Sequence, residues 1–268
     1  MSDPELSASN PRIRDAARLR LRKQRRERGT LLLEGVRLIA DAIDAGVAVR
    51  ELFAASDALR GTSARALAER AGVALTAITA QAARKLSDTQ HPQGVFAVVA
   101  YTPAHLDALR LPADPLVLVA DGISDPGNLG SIIRSAAALG ADAVIAAGTA
   151  CCDPANPKTV RATMGGLFRI PVAEEPDLSA TLARLRSAGL QIAAAVARGG
   201  LPPWQLDLRR GAALLVGSEA EGLPPSALEA ADARVTIPMA RGAESLNAAA
   251  AAAVLLAEAA RQRLQLTG

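Results

Sequence analysis

The second half of the sequence alternates between short apolar runs and segments with helical spacing. LVLVADGI (116–123), ADAVIAAG (141–148) and GAALLVG (211–217) are typical of strands buried on both faces. LSATLARLRSAG (178–189) is one of the helical segments between such runs. This alternation predicts an α/β fold in which helices cover both faces of a mostly parallel sheet. We expect further strands at 190–197 and 234–239, and further helices at 130–139, 226–233 and 245–265.

Three polar loops follow strand ends in this region. They are DPGNLG (125–130), GSEAEGLPP (217–225) and PMARGAESLN (238–247), and each is rich in Gly or Pro. Parallel sheets bind ligands beyond the carboxyl ends of their strands. We therefore expect the three loops to meet at one edge if their strands are neighbours, and to form the functional site there.

The first 100 residues predict a second, smaller α/β domain. Helical spacing is found at 31–43 and 79–89, and strand patterns at 49–55 and 94–100. Between them, SARALAERAGVAL (63–75) predicts a helix, a turn at Gly72 and a strand. TPAHLDALRLPADP (102–115) follows with three prolines and no sustained period, so we place a linker at 102–114.

Basic residues are concentrated near the N-terminus. The 268-residue chain has a formal charge of +3, but residues 1–30 hold nine Lys or Arg and four Asp or Glu. The run RIRDAARLRLRKQRRERG (12–29) suits a phosphate-binding arm, because arginine donates planar hydrogen bonds to phosphate oxygens. On charge alone, a solvated and frayed terminus is an equal alternative. We treat 1–29 as an arm outside the domain at 30–101.

Composition narrows the protein class. Half of the residues are hydrophobic and 21% are charged, which is typical of a globular chain with a substantial core. Cys151 and Cys152 are the two cysteines, and their adjacency supports neither a disulfide framework nor a metal site. The polar, Arg-rich N-terminus does not resemble a signal peptide, and AAAAAAVLLAEAA (248–260) is too short to span a bilayer. We expect a cytoplasmic protein with no membrane partner.

The first loop leads into a helix whose N-terminal amide groups favour an anion. Arg134 lies four residues after Gly130 and could reach a phosphate or carboxylate there, and Asn128 can both donate and accept hydrogen bonds. Taken alone, the loop favours another interpretation, in which Asn128 caps the helix and Arg134 forms a surface ion pair. Neither a P-loop nor a dinucleotide fingerprint is present.

The other two loops carry further polar candidates. Gly217 and Gly222 flank Glu219 and allow the backbone to approach a ligand closely. Glu219 could hold an arginine or accept hydrogen bonds, and a helix-capping carboxylate is the alternative. We expect Ser245 to cap the last helix, which places Asn247 inside the first helical turn. Asparagine is unfavourable there unless its side chain has a task.

Together the three loops resemble the three motifs of the SpoU (TrmH) family of RNA ribose 2′-O-methyltransferases in the SPOUT superfamily. DPGNLGSIIRSAAALG, LLVGSEAEGLPP and VTIPMARGAESLNAAAA resemble these motifs in order and spacing. Residues 30–101, with LLLEGVRLIADAI and DTQHPQGVFAVV, are similar to the family's L30e-like substrate-binding domain. Residues 115–268 correspond to the methyltransferase domain.

The resemblance implies a deep C-terminal trefoil knot, S-adenosylmethionine as cofactor and a homodimer. By matching, the cofactor contacts are Gly217, Ile237 and Leu246. The catalytic residues carried over are Arg134, Asn128, Glu219, Ser245 and Asn247. We expect Arg134 to grip the phosphate beside the target ribose, since a guanidinium stays charged in proteins. Ser245 and Asn247 are expected to orient the ribose.

Aromatic residues are only 2% of the chain, so phosphate contacts and arginine stacking are expected to carry much of the RNA binding. The basic arm supplies the candidates Arg20, Arg22, Lys23, Arg25 and Arg26. The expected activity is S-adenosylmethionine-dependent methylation of a ribose 2′-hydroxyl. The N-terminal domain favours 23S rRNA as substrate, with no role for DNA. The alternatives are a tRNA 2′-O-methyltransferase and a non-catalytic RNA-binding protein of the same fold. A nucleotide-binding α/β enzyme that acts without RNA is disfavoured by the basic arm and the missing phosphate loop.

Overall fold

The structure is a computed structural model that describes residues 4–240 and 244–264. The described chain divides into two compact units. The N-terminal unit holds the residues up to Thr102 together with Ala155–Pro157, and the C-terminal unit holds the rest, from Pro103 onward. No helix in the described ranges is long and apolar enough to cross a membrane.

The N-terminal unit is built on a four-stranded mixed sheet. Its strands are β1 (Thr30–Glu34), β2 (Val49–Ala55), β3 (Leu75–Ile78) and β4 (Val95–Ala100), in the order β1-β4-β2-β3. β4 runs antiparallel to β1 and β2, and β3 runs parallel to β2. Its helices are α1 (Pro11–Ala17), α2 (Arg22–Arg28), α3 (Val36–Asp44), α4 (Ser56–Leu59), α5 (Ser63–Ala71) and α6 (Ala80–Leu86).

The helix predicted over 31–43 is wrong in its first part. Thr30–Glu34 is a strand instead, in which Leu31 and Leu33 are buried and pair with β4. Gly35 ends this strand at a φ of +100°, a region that favours glycine, and α3 begins at the next residue. Apolar spacing therefore continued across a real boundary between two elements.

The separate arm predicted over 1–29 is wrong for the residues described. α1, a 3₁₀ turn at Arg18–Arg20 and α2 belong to the N-terminal unit. Ile13, Ala16 and Leu19 are buried in one core cluster with Phe53 and Phe96 of the sheet. The spacing of three residues puts these apolar side chains on one face, and their burial fixes the basic segment to the sheet.

The C-terminal unit contains a six-stranded sheet in which every pair is parallel. Its strands are β5 (Leu116–Asp121), β6 (Ala143–Ala147), β7 (Val172–Glu175), β8 (Gln191–Ala195), β9 (Ala212–Val216) and β10 (Ala233–Val235), in the order β10-β8-β9-β5-β6-β7. Its helices are α7 (Pro126–Ala138), α8 (Pro157–Ala162), α9 (Leu178–Ser187), α10 (Pro225–Ala230) and α11 (Ala248–Leu264). The parallel α/β prediction is confirmed.

Alternating residues of the central strands face two separate helical layers. Val117, Val119 and Leu215 pack with Leu182 of α9 and Ala227 of α10 in one core cluster. α7 and α11 pack against each other and cover the central strands β5 and β9. The sheet is therefore covered on both faces, which explains why its strands read as continuous apolar runs.

The segment predicted as a linker at 102–114 belongs to the C-terminal unit from Pro103 onward. Ala104 forms a parallel bridge to Ala173 of β7, and a 3₁₀ turn follows at Leu106–Ala108. The Leu106 amide donates to Glu175 Oε1 at 2.7 Å, and the Leu106 side chain is buried. Backbone pairing and apolar burial thus extend the edge of the sheet, although prolines favoured a linker.

Candidate active site

Side chains from the three polar loops meet at the carboxyl edge of the parallel sheet. Asn128 follows β5 and Glu219 follows the neighbouring strand β9, while Asn247 precedes α11. The Asn128 Nδ2 group donates to Glu219 Oε1. Asn247 Nδ2 lies 3.2 Å from the same carboxylate oxygen and 3.1 Å from Asn128 Oδ1. One carboxylate therefore joins two amides that lie 119 residues apart in the sequence.

The helix after the first loop begins earlier than the sequence indicates. α7 starts at Pro126, and Asp125 is its N-cap, with Oδ1 accepting from the Asn128 amide at 2.8 Å. This bond, together with Lys158 at 3.7 Å, holds the pKa of Asp125 below its ordinary value. The interpretation of Asn128 as the cap is thus wrong, because Asp125 satisfies the helix terminus. The Asn128 side chain is left to contact Glu219.

Arg134 lies on α7 where this helix packs closely against the turn that follows α8. The α-carbon of Arg134 lies 3.2 Å from where a Cβ on Gly166 would stand, so the turn after α8 lies directly against this helix. One turn before Arg134 on α7, a Cβ on Gly130 would lie 2.6 Å from the Thr159 carbonyl oxygen of α8, so glycine allows the two helices to approach each other there. The Arg134 side chain is exposed and has no hydrogen-bond or ion-pair partner within 4–240 and 244–264. The surface ion pair proposed as its alternative role is absent from this part of the chain.

Asn247 has two structural connections. Its Oδ1 atom accepts from the amides of Ala249 and Ala250 at 2.9 and 3.3 Å, so Asn247 caps α11. The predicted capping role of Ser245 is therefore wrong, and Asn247 precedes the helix rather than lying inside its first turn. Because its oxygen caps the helix, the Asn247 amide nitrogen is oriented toward Glu219 and Asn128.

A cavity of about 520 Å³ opens beside this polar cluster. All three residues expected to contact the cofactor line it, namely Gly217, Ile237 and Leu246, and so do Glu219 and Ser245. Asn128, Arg134 and Asn247 are not among its lining residues. The predicted cofactor contacts are thus grouped together, and Glu219 connects their cavity to the two amides.

In the loop after β9, the backbone at Gly217 packs directly against the backbone of Gly222 and Leu223. A Cβ on Gly217 would lie 2.6 Å from the Leu223 amide nitrogen, so any side chain there would displace backbone. The Gly222 amide donates to the Ser218 carbonyl at 2.9 Å, and Gly222 has a φ of +68°. The loop therefore presents main chain to the cavity.

Several residues that support the site were not among those predicted from the sequence. Asp125 caps α7, Lys158 pairs with Asp125, and Gly130 allows α8 to approach α7. The Asp-Pro pair at 125–126 was a usable signal, since Asp is a preferred cap and Pro a preferred first helical residue. No local pattern could have indicated the long-range contacts of Lys158 and Gly130.

The basic candidates of the N-terminal unit divide into two groups. Arg25 is only 4% exposed, and its guanidinium donates to the carbonyls of Leu19 and Arg20 at 2.9 and 2.6 Å. The predicted RNA-binding role of Arg25 is therefore wrong, because its guanidinium is occupied in tying α2 to the preceding turn. The exposed candidates are Arg20, Arg22, Lys23 and Arg26.

Comparison with known proteins identifies both parts of the chain. The model of the SpoU rRNA methylase family matches residues 115–257, and the model of the MRM3-like substrate-binding domain matches residues 10–97. The second match begins at residue 10 and so includes the basic helices α1 and α2, in agreement with the burial of Ile13 and Leu19 in the core of the N-terminal unit.

Two relatives that align with more than 85% of their own length are named as 23S rRNA 2′-O-methyltransferases. The chain is 31% identical to the 23S rRNA (guanosine(2553)-2′-O)-methyltransferase RlmP of Bacillus subtilis, over 93% of this chain and 96% of that protein. It is 35% identical to the 23S rRNA (uridine(2479)-2′-O)-methyltransferase of Streptomyces viridochromogenes, over 91% of this chain and 86% of that protein.

Solved structures have the same architecture. The SpoU methyltransferase AviRb from Streptomyces viridochromogenes, in complex with the cofactor AdoMet, superposes with a TM-score of 0.84 at 34% identity. That alignment covers 96% of this chain and all of the other. An AdoMet-bound rRNA methyltransferase from Sinorhizobium meliloti gives a TM-score of 0.84 at 31% identity, covering 96% and 97% of the two chains. The chain therefore belongs to the SpoU rRNA methylase family.

Proposed function

We propose that this protein transfers a methyl group from S-adenosylmethionine to a ribose 2′-hydroxyl of 23S rRNA. The observation that carries the proposal is the joining of Asn128, Glu219 and Asn247 beside a cavity at the carboxyl edge of the sheet. Family membership and the names of the relatives support the RNA and the cofactor. Transfer to ribose needs a place for the cofactor next to polar groups that orient a hydroxyl.

The cavity fits the cofactor in size and chemistry. Its volume lies within the range of small-molecule sites, about 300–1,000 Å³. Ile237 and Leu246 supply apolar contacts, and the closed turn at Gly217 presents backbone polar groups instead of a side chain. When bound there, S-adenosylmethionine supplies an electrophilic sulfonium methyl group.

Arg134 is the proposed catalytic residue for the hydroxyl. Its exposed guanidinium binds the phosphate next to the target ribose and lowers the proton affinity of the 2′-hydroxyl by its positive charge. The 2′-oxygen forms a bond to the methyl carbon as the carbon–sulfur bond breaks. The proton passes to a phosphate oxygen or to water, because the guanidinium is already fully protonated. S-adenosylhomocysteine leaves as the second product.

Glu219 is the proposed positioning residue for the two amides. By accepting from Asn128 and Asn247, its carboxylate fixes the rotamers of both side chains. The amides and the Ser245 hydroxyl then orient the ribose beside the cavity. Much of the rate gain comes from this orientation, since the reaction joins two bound molecules.

We also propose an RNA-binding role for the N-terminal unit as an L30e-like domain, and phosphate contacts from its exposed residues Arg20, Arg22, Lys23 and Arg26. The match to a substrate-binding domain supports this assignment.

We further propose a homodimer, a cytoplasmic location and a trefoil knot, which family membership supports. The chain leads from the edge strand β10 back to the centre of the sheet, where Asn247 contacts Asn128, as a threaded C-terminal segment requires. Light scattering tests the dimer, and a monomer at working concentration would contradict it.

The experiment that tests the function is transfer of labelled methyl from S-adenosylmethionine to unmodified rRNA and, separately, to unmodified tRNA. Nuclease digestion then locates the label. A 2′-O-methylated nucleotide in 23S rRNA is the expected result. Label in tRNA alone would instead establish a tRNA 2′-O-methyltransferase. Absence of both label and cofactor binding would leave a non-catalytic RNA-binding protein.

A further inference from the structure

The loop after β8 forms one wall of the cofactor cavity. Ala195, Val196, Ala197 and Arg198 line the cavity together with Gly217. The segment at its tip, ARGG at 197–200, lies outside the three motifs of the polar loops. Because β8 lies between β9 and β10, this loop belongs to the same edge of the sheet as the polar cluster.

Hydrogen bonds fix both sides of this loop to β10 and to Thr236, the residue that follows it. The Val196 amide donates to the Val235 carbonyl at 2.9 Å, and the Leu201 amide donates to the Arg234 carbonyl at 2.8 Å. Thr236 Oγ1 accepts from the Gly200 amide at 2.9 Å and donates to the Val196 carbonyl at 3.1 Å. One threonine hydroxyl therefore joins the beginning and the end of the loop.

Close backbone packing holds the loop in the same position. A Cβ on Gly200 would lie 2.7 Å from the Val235 carbonyl carbon, so a side chain is excluded there. Gly199 has a φ of +80°, which turns the chain sharply after Arg198. Arg198 thus projects from the tip of a fixed loop at the cavity wall.

The charges around Arg198 indicate what it binds. The other charged residues that line the cavity are carboxylates, namely Glu219, Glu221 and Glu244. Arg198 is the single cation among the lining residues in the described ranges, and its guanidinium has no hydrogen-bond or ion-pair partner there. A cation without a protein partner in a small-molecule cavity suits an anionic group of the ligand.

S-adenosylmethionine has one anionic group, the carboxylate of its methionine part. We propose that Arg198 binds this carboxylate and thereby directs the methionine end of the cofactor toward the loop after β8. The assignment rests on the proposed function, because it requires this cofactor in this cavity. Arginine suits the role since its planar guanidinium donates two parallel hydrogen bonds to a carboxylate. Arg198 is then a determinant of cofactor orientation and specificity.

The test compares two ligands that differ by the carboxylate alone. Calorimetry measures the affinity of the full-length protein for S-adenosylmethionine and for decarboxylated S-adenosylmethionine. We expect Arg198→Ala to weaken S-adenosylmethionine binding by about tenfold or more, because the charge-assisted hydrogen bonds to the carboxylate are lost, and to leave binding of the decarboxylated ligand unchanged. Arg198→Lys should recover part of the loss. Arg110→Ala is the matched control, because Arg110 is an exposed arginine of the same unit outside the cavity.

Other outcomes separate the assignment from the function. Equal losses for both ligands would overturn the carboxylate contact, because the effect would then be one of cavity shape. Unchanged affinity for S-adenosylmethionine with weakened RNA binding would also overturn it and assign Arg198 to an RNA phosphate. Failure of the unsubstituted protein to bind S-adenosylmethionine would overturn the proposed function together with this assignment.

Discussion

Arg25 of the N-terminal unit and two arginines of the C-terminal unit, Arg134 and Arg198, differ in what their guanidinium groups contact. In the N-terminal unit, Arg25 comes from the most basic run of the chain, yet it is buried and donates to backbone carbonyls. In the C-terminal unit, Arg134 and Arg198 come from segments of ordinary charge, yet both are exposed and have no partner among the described residues. Local charge density in the sequence therefore did not distinguish the buried Arg25 from arginines that are available to a ligand.

Position in the fold separates the two kinds of arginine. Arg134 and Arg198 both follow the carboxyl end of a parallel strand, where helix termini and loops leave room for a ligand. Arg25 lies in α2, which contacts β1 and follows the turn that contains Leu19, a buried residue of the core cluster. The expected consequences of substitution differ accordingly, since Arg25 is bonded to the backbone and the other two arginines are proposed to bind ligands.

The largest expected effect concerns Arg134. Arg134→Ala should lower kcat/KM for methyl transfer by about 100-fold or more, because the charge beside the 2′-hydroxyl is lost. The free energy of unfolding should change by less than about 0.5 kcal/mol, since the side chain is exposed. Single-turnover methyl transfer and urea unfolding measure the two quantities. Arg134→Lys is the matched variant and should retain part of the activity, and full activity in Arg134→Ala would refute the assigned site.

Arg25 should show the opposite pattern. Arg25→Leu should lower the free energy of unfolding by about 2–3 kcal/mol, because the buried carbonyl of Leu19 and the partly buried carbonyl of Arg20 lose a charged donor. Arg26→Leu, at the exposed neighbouring position, should change stability by less than about 0.5 kcal/mol. Urea unfolding of the two variants measures the difference. Equal stability would mean that Arg25 is not structural and would remove the contrast between the units.

Substitution of Gly217 tests whether the turn after β9 leaves no room for a side chain, as the structure indicates. Gly217→Ala should cost about 1–3 kcal/mol of folding stability, because the new Cβ meets backbone of the same loop. It should also weaken S-adenosylmethionine binding, since Gly217 lines the cavity. Gly61→Ala in the N-terminal unit is the matched control, because its Cβ would have one neighbour within 4 Å, at 3.8 Å. Thermal unfolding with and without the cofactor gives both values, and similar effects in the two variants would argue against a closed turn.

Sequence patterns predicted the parallel sheet well because its strands are buried on both faces. The strand expected at 211–217 is β9 at Ala212–Val216, and the one expected at 141–148 is β6 at Ala143–Ala147. The pattern failed at residues 30–34, where apolar side chains continue across Gly35 into a helix. Periodicity reports burial but does not mark a boundary when both elements are apolar.

The polar site was predictable in its members but not in its connections. The motifs named Asn128, Glu219 and Asn247, and the structure joins these three. Their hydrogen bonds depend on strand order, which no local pattern contains. Capping was misassigned for a similar reason, because Ser245 and Asn247 are both good caps and the helix start decides between them. Arg198 was missed because its loop has no motif of its own.

Substitutions of Asn247 can distinguish its two roles, since its side-chain oxygen caps α11 and its side-chain nitrogen donates to Glu219. Asn247→Ala should lower the free energy of unfolding by about 1 kcal/mol, since the amides of Ala249 and Ala250 lose their cap. Asn247→Ser keeps a capping oxygen and should restore most of that stability. Both variants should lose methyl transfer, because neither retains the amide that donates to Glu219. Urea unfolding and single-turnover kinetics measure the two effects, and full activity in Asn247→Ser would show that the residue serves α11 alone.

The smallest expected effect concerns the exposed basic residues of the N-terminal unit. RNA affinity should depend on salt, and each phosphate contact that is lost should reduce the slope of log K against log[salt] by about 0.7–0.9. Replacing Arg22, Lys23 and Arg26 together with Gln should therefore reduce the slope by about 2, with little change in folding stability. Fluorescence anisotropy with an rRNA fragment at several salt concentrations measures it, and Arg65→Gln on α5 is the control at another exposed arginine of the unit. An unchanged slope would mean that the three exposed residues make no phosphate contacts. The basic helices would then serve folding alone, as Arg25 does, and the contrast between Arg25 and its exposed neighbours would be lost.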